Sequence, residues 1–273
     1  MTLLRERKLT LSRGAGVDRY SSLLNWNSLL QMIERGQHPP SLAEFNLVKD
    51  SQLAPPDRWL KRNPSGDGNV VDIPRFLAFM AHGFSLSVTR IDSYAPHLNA
   101  LCQSIRSTLR ERIKMGVIVT TGKGGAFTLH YDPEDLIILQ VEGRKRWKIF
   151  GPPVVNPFVG MTPTAPPPED TLLFDEILEA GDLLFLPAGN WHRCENQSNR
   201  SLHLGIFLQP PNGLDVVRAL TLQLLSDDQL RKPLTRLDDA VNLTAVEGDI
   251  KSRAMERISK LDLREFFSDF ERQ

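Results

Sequence analysis

After residue 115 the chain becomes a series of short apolar runs cut apart by Gly, Pro and Asn, and this texture constrains the fold more than any other feature. Val117-Ile118-Val119, the runs Leu136–Leu139, Trp147–Phe150 and Leu183–Leu186, and Leu202–Phe207 are rich in β-branched or aromatic residues and bounded by turn residues, so each is expected to be a strand. Closely spaced strands of this kind point to a β-sandwich or double-sheet jelly roll. The Pro-rich stretch from Pro152 to Pro168 crosses the middle of this block and is expected as a surface loop without regular structure.

The flanks read differently. Leu23, Leu24, Trp26, Leu29, Leu30 and Ile33 recur at helical spacing up to Gly36, with Pro39-Pro40 beyond as a stop. A short helix is expected from Pro74 to His82 and another from His97 to Lys114, carrying Leu98, Leu101, Ile105, Leu109 and Ile113. Asn63 to Gly68 is a loop by composition. Beyond Pro210-Pro211 the strand pattern stops, and Leu214–Leu225 and Ile250–Phe270 read as helices. The expected division is an N-terminal mixed segment over 1–70, a mainly β jelly-roll core (a double-stranded β-helix) over 71–210, and a C-terminal helical segment over 211–273.

Composition sets outer bounds. Apolar residues make up 41% and charged residues 24%, an ordinary globular profile. Lys plus Arg equals Asp plus Glu at 33 each, so net charge offers no general attraction to nucleic acid or an anionic membrane. Two cysteines, Cys102 and Cys194, argue against a disulfide-stapled secreted scaffold and for a reducing cytoplasm. Charge interrupts the first eight residues, as it would not in a signal peptide, and no stretch approaches the ~20 apolar residues that span a bilayer.

Chemistry concentrates at Leu129-His130-Tyr131-Asp132 and, much later, Pro187-Ala188-Gly189-Asn190-Trp191-His192. On a strand, side chains two apart share a face, so His130 and Asp132 are expected to reach one ion together. Two imidazoles and one carboxylate on one side of a metal leave the opposite positions open, as in Fe(II) oxygenases; a closed zinc site would want paired cysteines. Alone, His-x-Asp with a distant His is a weak signal, because a lone buried His is more often hydrogen-bonded core. The surroundings add to it. After a turn at Glu142-Gly143, Lys145, Trp147 and Ile149 fall on one face of the next strand, opposite Arg144, Arg146 and Lys148. A lysine on the apolar face costs several kcal/mol unless an anion meets it. The competing reading is a slipped register, with Lys145 one more solvated base on an edge strand. Gly181-Asp182 makes a turn into Leu183–Leu186, and Pro187 ends that strand so that a loop presents His192. The other histidines, His38, His82 and His97, have no partner pattern, and Cys194 is a free thiol more plainly than a fourth ligand.

The text His130-Tyr131-Asp132-Pro133-Glu134-Asp135, then Leu139 through Trp147, then Gly181-Asp182 through Pro187 and Trp191-His192, resembles the JmjC and cupin-4 branch of Fe(II)/2-oxoglutarate oxygenases. The resemblance implies iron held by His130, Asp132 and His192, with 2-oxoglutarate and O₂ as cosubstrates and Lys145 on the distal carboxylate. Thr128 is a candidate further contact on the face of His130. His203, which shares a face with Ser201, Gly205 and Phe207, looks into the same pocket or is an edge histidine. The implied reaction is hydroxylation of a C–H in an amino-acid side chain of a peptide or protein, or in a related small molecule. The helical tail resembles the dimerising helices of ribosomal oxygenases, so a homodimer is expected. Two alternatives stay open: a metal-dependent cupin enzyme without 2-oxoglutarate, which would not need Lys145, and a non-catalytic binding or scaffold module.

Overall fold

The β-rich block folds into two sheets packed face to face. A computed structural model describes residues 6–14, 16–36, 44–64, 66, 68–161, 165–234 and 240–270. Its strands, in chain order, are β1 (Thr10–Ser12), β2 (Phe45–Lys49), β3 (Gln52–Leu53), β4 (Leu60–Arg62), β5 (Asn69–Val71), β6 (Ser85–Val88), β7 (Arg112–Thr121), β8 (Asp135–Glu142), β9 (Arg144–Phe150), β10 (Leu172–Glu179), β11 (Leu183–Leu186), β12 (Trp191–Asn196) and β13 (Arg200–Gln209). The larger sheet runs β1-β11-β8-β13-β7-β6-β2-β3 and the smaller β10-β9-β12, while β4 and β5 form a separate hairpin. The mainly β jelly roll read from the sequence is therefore the fold.

Between the sheets, Leu136, Ile138, Leu184 and Leu186 of the larger pack with Trp147, Ile149 and Leu178 of the smaller, none more than 5% exposed. Full burial of each such side chain stabilises by roughly 1.5–3 kcal/mol. The strands β8 and β9 are consecutive but lie in different sheets, so Gly143 is a corner between sheets. It sits at φ +67, and a Cβ there would fall 2.0 Å from the Arg200 carbonyl oxygen, so only glycine fits.

Residues ahead of position 70 are part of this architecture: β1 pairs with β11, and β2 with β6. The expected break at residue 70 is thus not a break in the sheet. Arg13, just beyond β1, reaches Asp182 and Glu176, each over 2.9 Å, and the Gly14 N–H donates to Asp182 over 2.8 Å. The first expected helix is Trp26–Glu34, beginning later than its apolar spacing suggested because Asn25 and Ser28 close a capping box. Glu142 accepts the Trp26 N–H over 2.7 Å. The expected stop at Pro39-Pro40, Ser65 and Asp67 of the expected loop, and residues 162–164 of the Pro-rich connection lie outside the described residues.

The second expected helix is Ile73–Ala81. The third, Pro96–Leu109, stops short of Lys114: Arg110 is left-handed at φ +58, and Ile113 and Lys114 belong to β7. Residues Met1–Ile105 and Ile113–Gln209 form one compact unit, and Arg106–Arg112 with Pro210–Gln273 a second. In the second unit the helices are Gly213–Leu224, Ala240–Ser259 and Leu263–Phe270; the single helix expected over Ile250–Phe270 is broken where Asp262 accepts the Arg264 N–H over 2.7 Å. No described helix is long and apolar enough to cross a membrane.

Candidate metal centre

Backbone pairing brings the two histidines together. His130 N–H donates to the His192 carbonyl over 3.1 Å and His192 N–H to the His130 carbonyl over 2.7 Å, an isolated antiparallel rung. Facing residues of such a rung present their side chains on the same side, and the imidazole centroids are 4.3 Å apart. Asp132 Oδ2 lies 3.5 Å from His192 Nε2, and one ligand atom from each of the three residues lies within 4.8 Å of the others. Two details of the expectation need correction. Leu129–Asp132 is not a continuous strand but a single bridge, and His192 is the second residue of β12, not a loop residue. Asp132 is placed by the turn after β11, where the Gly189 N–H donates to its carbonyl over 2.9 Å.

One device orients both rings. His130 Nδ1 lies 2.8 Å from the Thr128 carbonyl, and His192 Nδ1 lies 3.0 Å from the Asn190 carbonyl. A carbonyl only accepts, so each Nδ1 carries its proton and each Nε2 keeps a lone pair for an ion. Burial, with His130 alongside, pushes the His192 pKa down to about 3, so its ring is neutral at physiological pH. Loss of water in the cavity holds the Asp132 carboxyl above the usual carboxylate range, against the pull of His130 and Lys114. A carboxylate short of compensating charge beside two Nε2 lone pairs fits a divalent cation held on one side, the donor set of non-haem Fe(II). Cys194 does not complete the set, because burial pushes its thiol up to about 12.

The donors face a cavity of about 320 Å³ walled by Ile118, Phe127, Leu136, Trp147 and Phe207. Lys145 lines it with 1% exposure, and its Nζ lies 3.2 Å from Thr120 Oγ1 and 3.3 Å from His203 Nδ1. Burial lowers the Lys145 pKa to about 8. None of its described contacts is a carboxylate, which leaves a buried ammonium suited to an incoming anion. His203, pushed well below the usual imidazole range by burial and by Lys145, stays neutral and accepts from the lysine. Across the cavity, Lys114 pairs with Glu134 over 2.8 Å and lies 4.9 Å from the centre of the Phe207 ring.

Thr128 is not in the cavity. Its side chain is exposed and its Oγ1 lies 2.9 Å from Ser51 Oγ, outside the barrel. The hydroxyl beside Lys145 belongs to Thr120, which sequence reasoning missed. The available signal was the alternation of Gly116, Ile118 and Thr120 along β7.

A jelly roll with a half-open His-Asp-His triad defines a cupin-type metalloprotein. The family model described as JmjC domain matches residues 91–216. The bifunctional lysine-specific demethylase and histidyl-hydroxylase NO66 of Drosophila mojavensis is 30% identical over 135 residues, covering 48% of this chain and 15% of that protein. The Drosophila grimshawi protein of the same name is 28% identical over 192 residues, covering 68% and 25%. Among solved structures, YcfD, a ribosomal oxygenase from Escherichia coli, superposes with a TM-score of 0.59 at 17% identity, covering 100% of this chain and 70% of that one. The same protein in complex with cobalt and 2-oxoglutarate gives 0.52 at 16% identity, covering 92% and 65%. The structural likeness carries the fold, and residues 91–216 resemble a JmjC domain in sequence. The chain spans a quarter or less of the length of these curated relatives.

Proposed function

We propose that this chain is an Fe(II)- and 2-oxoglutarate-dependent dioxygenase that hydroxylates a C–H of an amino-acid side chain in a peptide or protein. The observation that carries the reading is a one-sided triad opening onto the same cavity as a buried lysine with no carboxylate among its described contacts. His130, Asp132 and His192 would hold the iron. When bound, iron supplies the redox chemistry that couples decarboxylation of 2-oxoglutarate by O₂ to insertion of one oxygen atom into a C–H bond. The chain's own residues bind, orient and exclude water. Lys145 and Thr120 receive the distal carboxylate, and His203 offers Lys145 an acceptor. Trp147, stacked on His192 with ring centroids 5.7 Å apart, closes the wall behind the triad.

The relatives support a protein substrate: by name they are a demethylase and histidyl-hydroxylase and a ribosomal oxygenase. Exposed Leu214, Val217, Leu222 and Leu225 on the C-terminal helical unit support a homodimer, which light scattering of the purified chain would read directly. Cys102 and Cys194, neither of them in a disulfide, support a reducing cytoplasm as the working compartment.

The deciding experiment is an anaerobic Fe(II) titration with and without 2-oxoglutarate, followed through the weak visible charge-transfer band of the chelate. A band that appears only with both ligands supports the reading. Metal uptake indifferent to 2-oxoglutarate would move the protein to a cupin enzyme of another type, and no metal uptake would leave a scaffold.

A further inference from the structure

The β2–β3 hairpin, remote in sequence from the triad, touches the segment that orients the first ligand. Lys49 pairs with Gln52, so the loop is the two residues Asp50-Ser51, both left-handed at φ +50 and φ +64. Such a turn is most easily made by Asn-Gly, and a serine at its second position carries backbone strain that glycine would relieve. The serine hydroxyl has a specific use here. Ser51 Oγ accepts the Thr128 N–H over 2.9 Å and lies 2.9 Å from Thr128 Oγ1, while the Ser51 N–H donates to the Ala126 carbonyl over 3.0 Å. Three hydrogen bonds therefore clamp residues 126–128, and the next group along, the Thr128 carbonyl, receives the His130 Nδ1–H over 2.8 Å.

We infer that Ser51 is a positioning residue for the metal centre: by holding both the amide and the hydroxyl of Thr128, it fixes the carbonyl that sets the tautomer and rotation of His130. The inference rests on the metal-dependent reading above. It gives Thr128 a role different from the cosubstrate contact expected of it. Partners one step behind a metal-bound histidine commonly govern affinity. The Ser51 hydroxyl stands one further hydrogen bond out.

Two substitutions separate positioning from folding. Ser51→Gly removes the hydroxyl and relieves the strained turn, whereas Ser51→Thr keeps the hydroxyl and increases the strain. Co(II) serves as the probe, with affinity measured by calorimetry, ligand geometry by visible ligand-field absorption, and metal-free Tm by thermal melting. Ser51→Gly is expected to bind Co(II) about tenfold more weakly, with an altered spectrum and a metal-free Tm at or above that of the unsubstituted protein. Ser51→Thr is expected to melt lower while keeping affinity and spectrum. Ser51→Gly with unchanged affinity and spectrum would overturn the inference, as would losses of affinity that merely follow losses of Tm in both variants. Failure of the unsubstituted protein to bind Co(II) would instead remove the metal-dependent reading itself.

Discussion

At the scale of single residues, Lys145 sets function against stability. Moving its pKa from 10.5 to about 8 corresponds to a burial penalty on the order of 3 kcal/mol while the lysine stays charged. Lys145→Met keeps the bulk and removes the charge, at the expense of the bonds to Thr120 and His203. We expect the metal-free protein to gain about 1 kcal/mol in denaturant melts, with 2-oxoglutarate affinity falling at least tenfold and Fe(II) affinity kept. Equal 2-oxoglutarate affinity in calorimetry would place the anion site elsewhere. The same lysine gives a pH dependence. Below about pH 8 the ammonium is already protonated; above it, binding a dianion must first capture a proton. Affinity for 2-oxoglutarate is therefore expected to fall by up to about tenfold per pH unit above 8 and to level off in Lys145→Met.

Lys145 was legible in the sequence because β9 is a true strand, where period two holds and Lys145, Trp147 and Ile149 are all buried. Thr128 was misread because the same rule was applied to a segment that is only a single bridge. Thr120 could have been found by the same alternation along β7, whereas Ser51 acts through a partner far along the chain, and no local pattern reports that contact.

At the scale of elements, local periodicity found most pieces but not their ends. Ile113 extends the helical spacing of Leu101, Ile105 and Leu109 by chance, and sheet pairing claims it for β7. The turn at Glu142-Gly143 was legible, but not that it links two different sheets. One turn outside the triad invites a test of how the N-terminal strand is held. Burial pushes the Asp182 carboxyl up, but the Glu179 and Gly14 amides and the Arg13 guanidinium outweigh it and hold the pKa below the usual range. Because the folded pKa is depressed, this contribution is complete above the unfolded pKa of roughly 3.9 and is lost as pH falls through the folded value. Asp182→Asn is expected to cost about 1–3 kcal/mol at pH 7 in urea melts. The deficit should shrink in acid; one that grew there would refute the linkage.

At the scale of the whole molecule, the ligands come from chain segments that only the folded jelly roll assembles, so metal binding and folding are linked. With free Co(II) at 100 times its Kd, the unit holding the triad should gain about 2.7 kcal/mol, read as a higher Tm in calorimetry. His130→Ala should show little of this shift. The second unit carries no triad residue and is expected to melt without responding to metal when its transition is resolved.

The paired amides of His130 and His192 index each ligand to the other instead of to the length of chain between them. That rung closes a loop at its base. The spacing of the two rings is therefore set by that rung and not by the length of the Pro-rich stretch inside the loop.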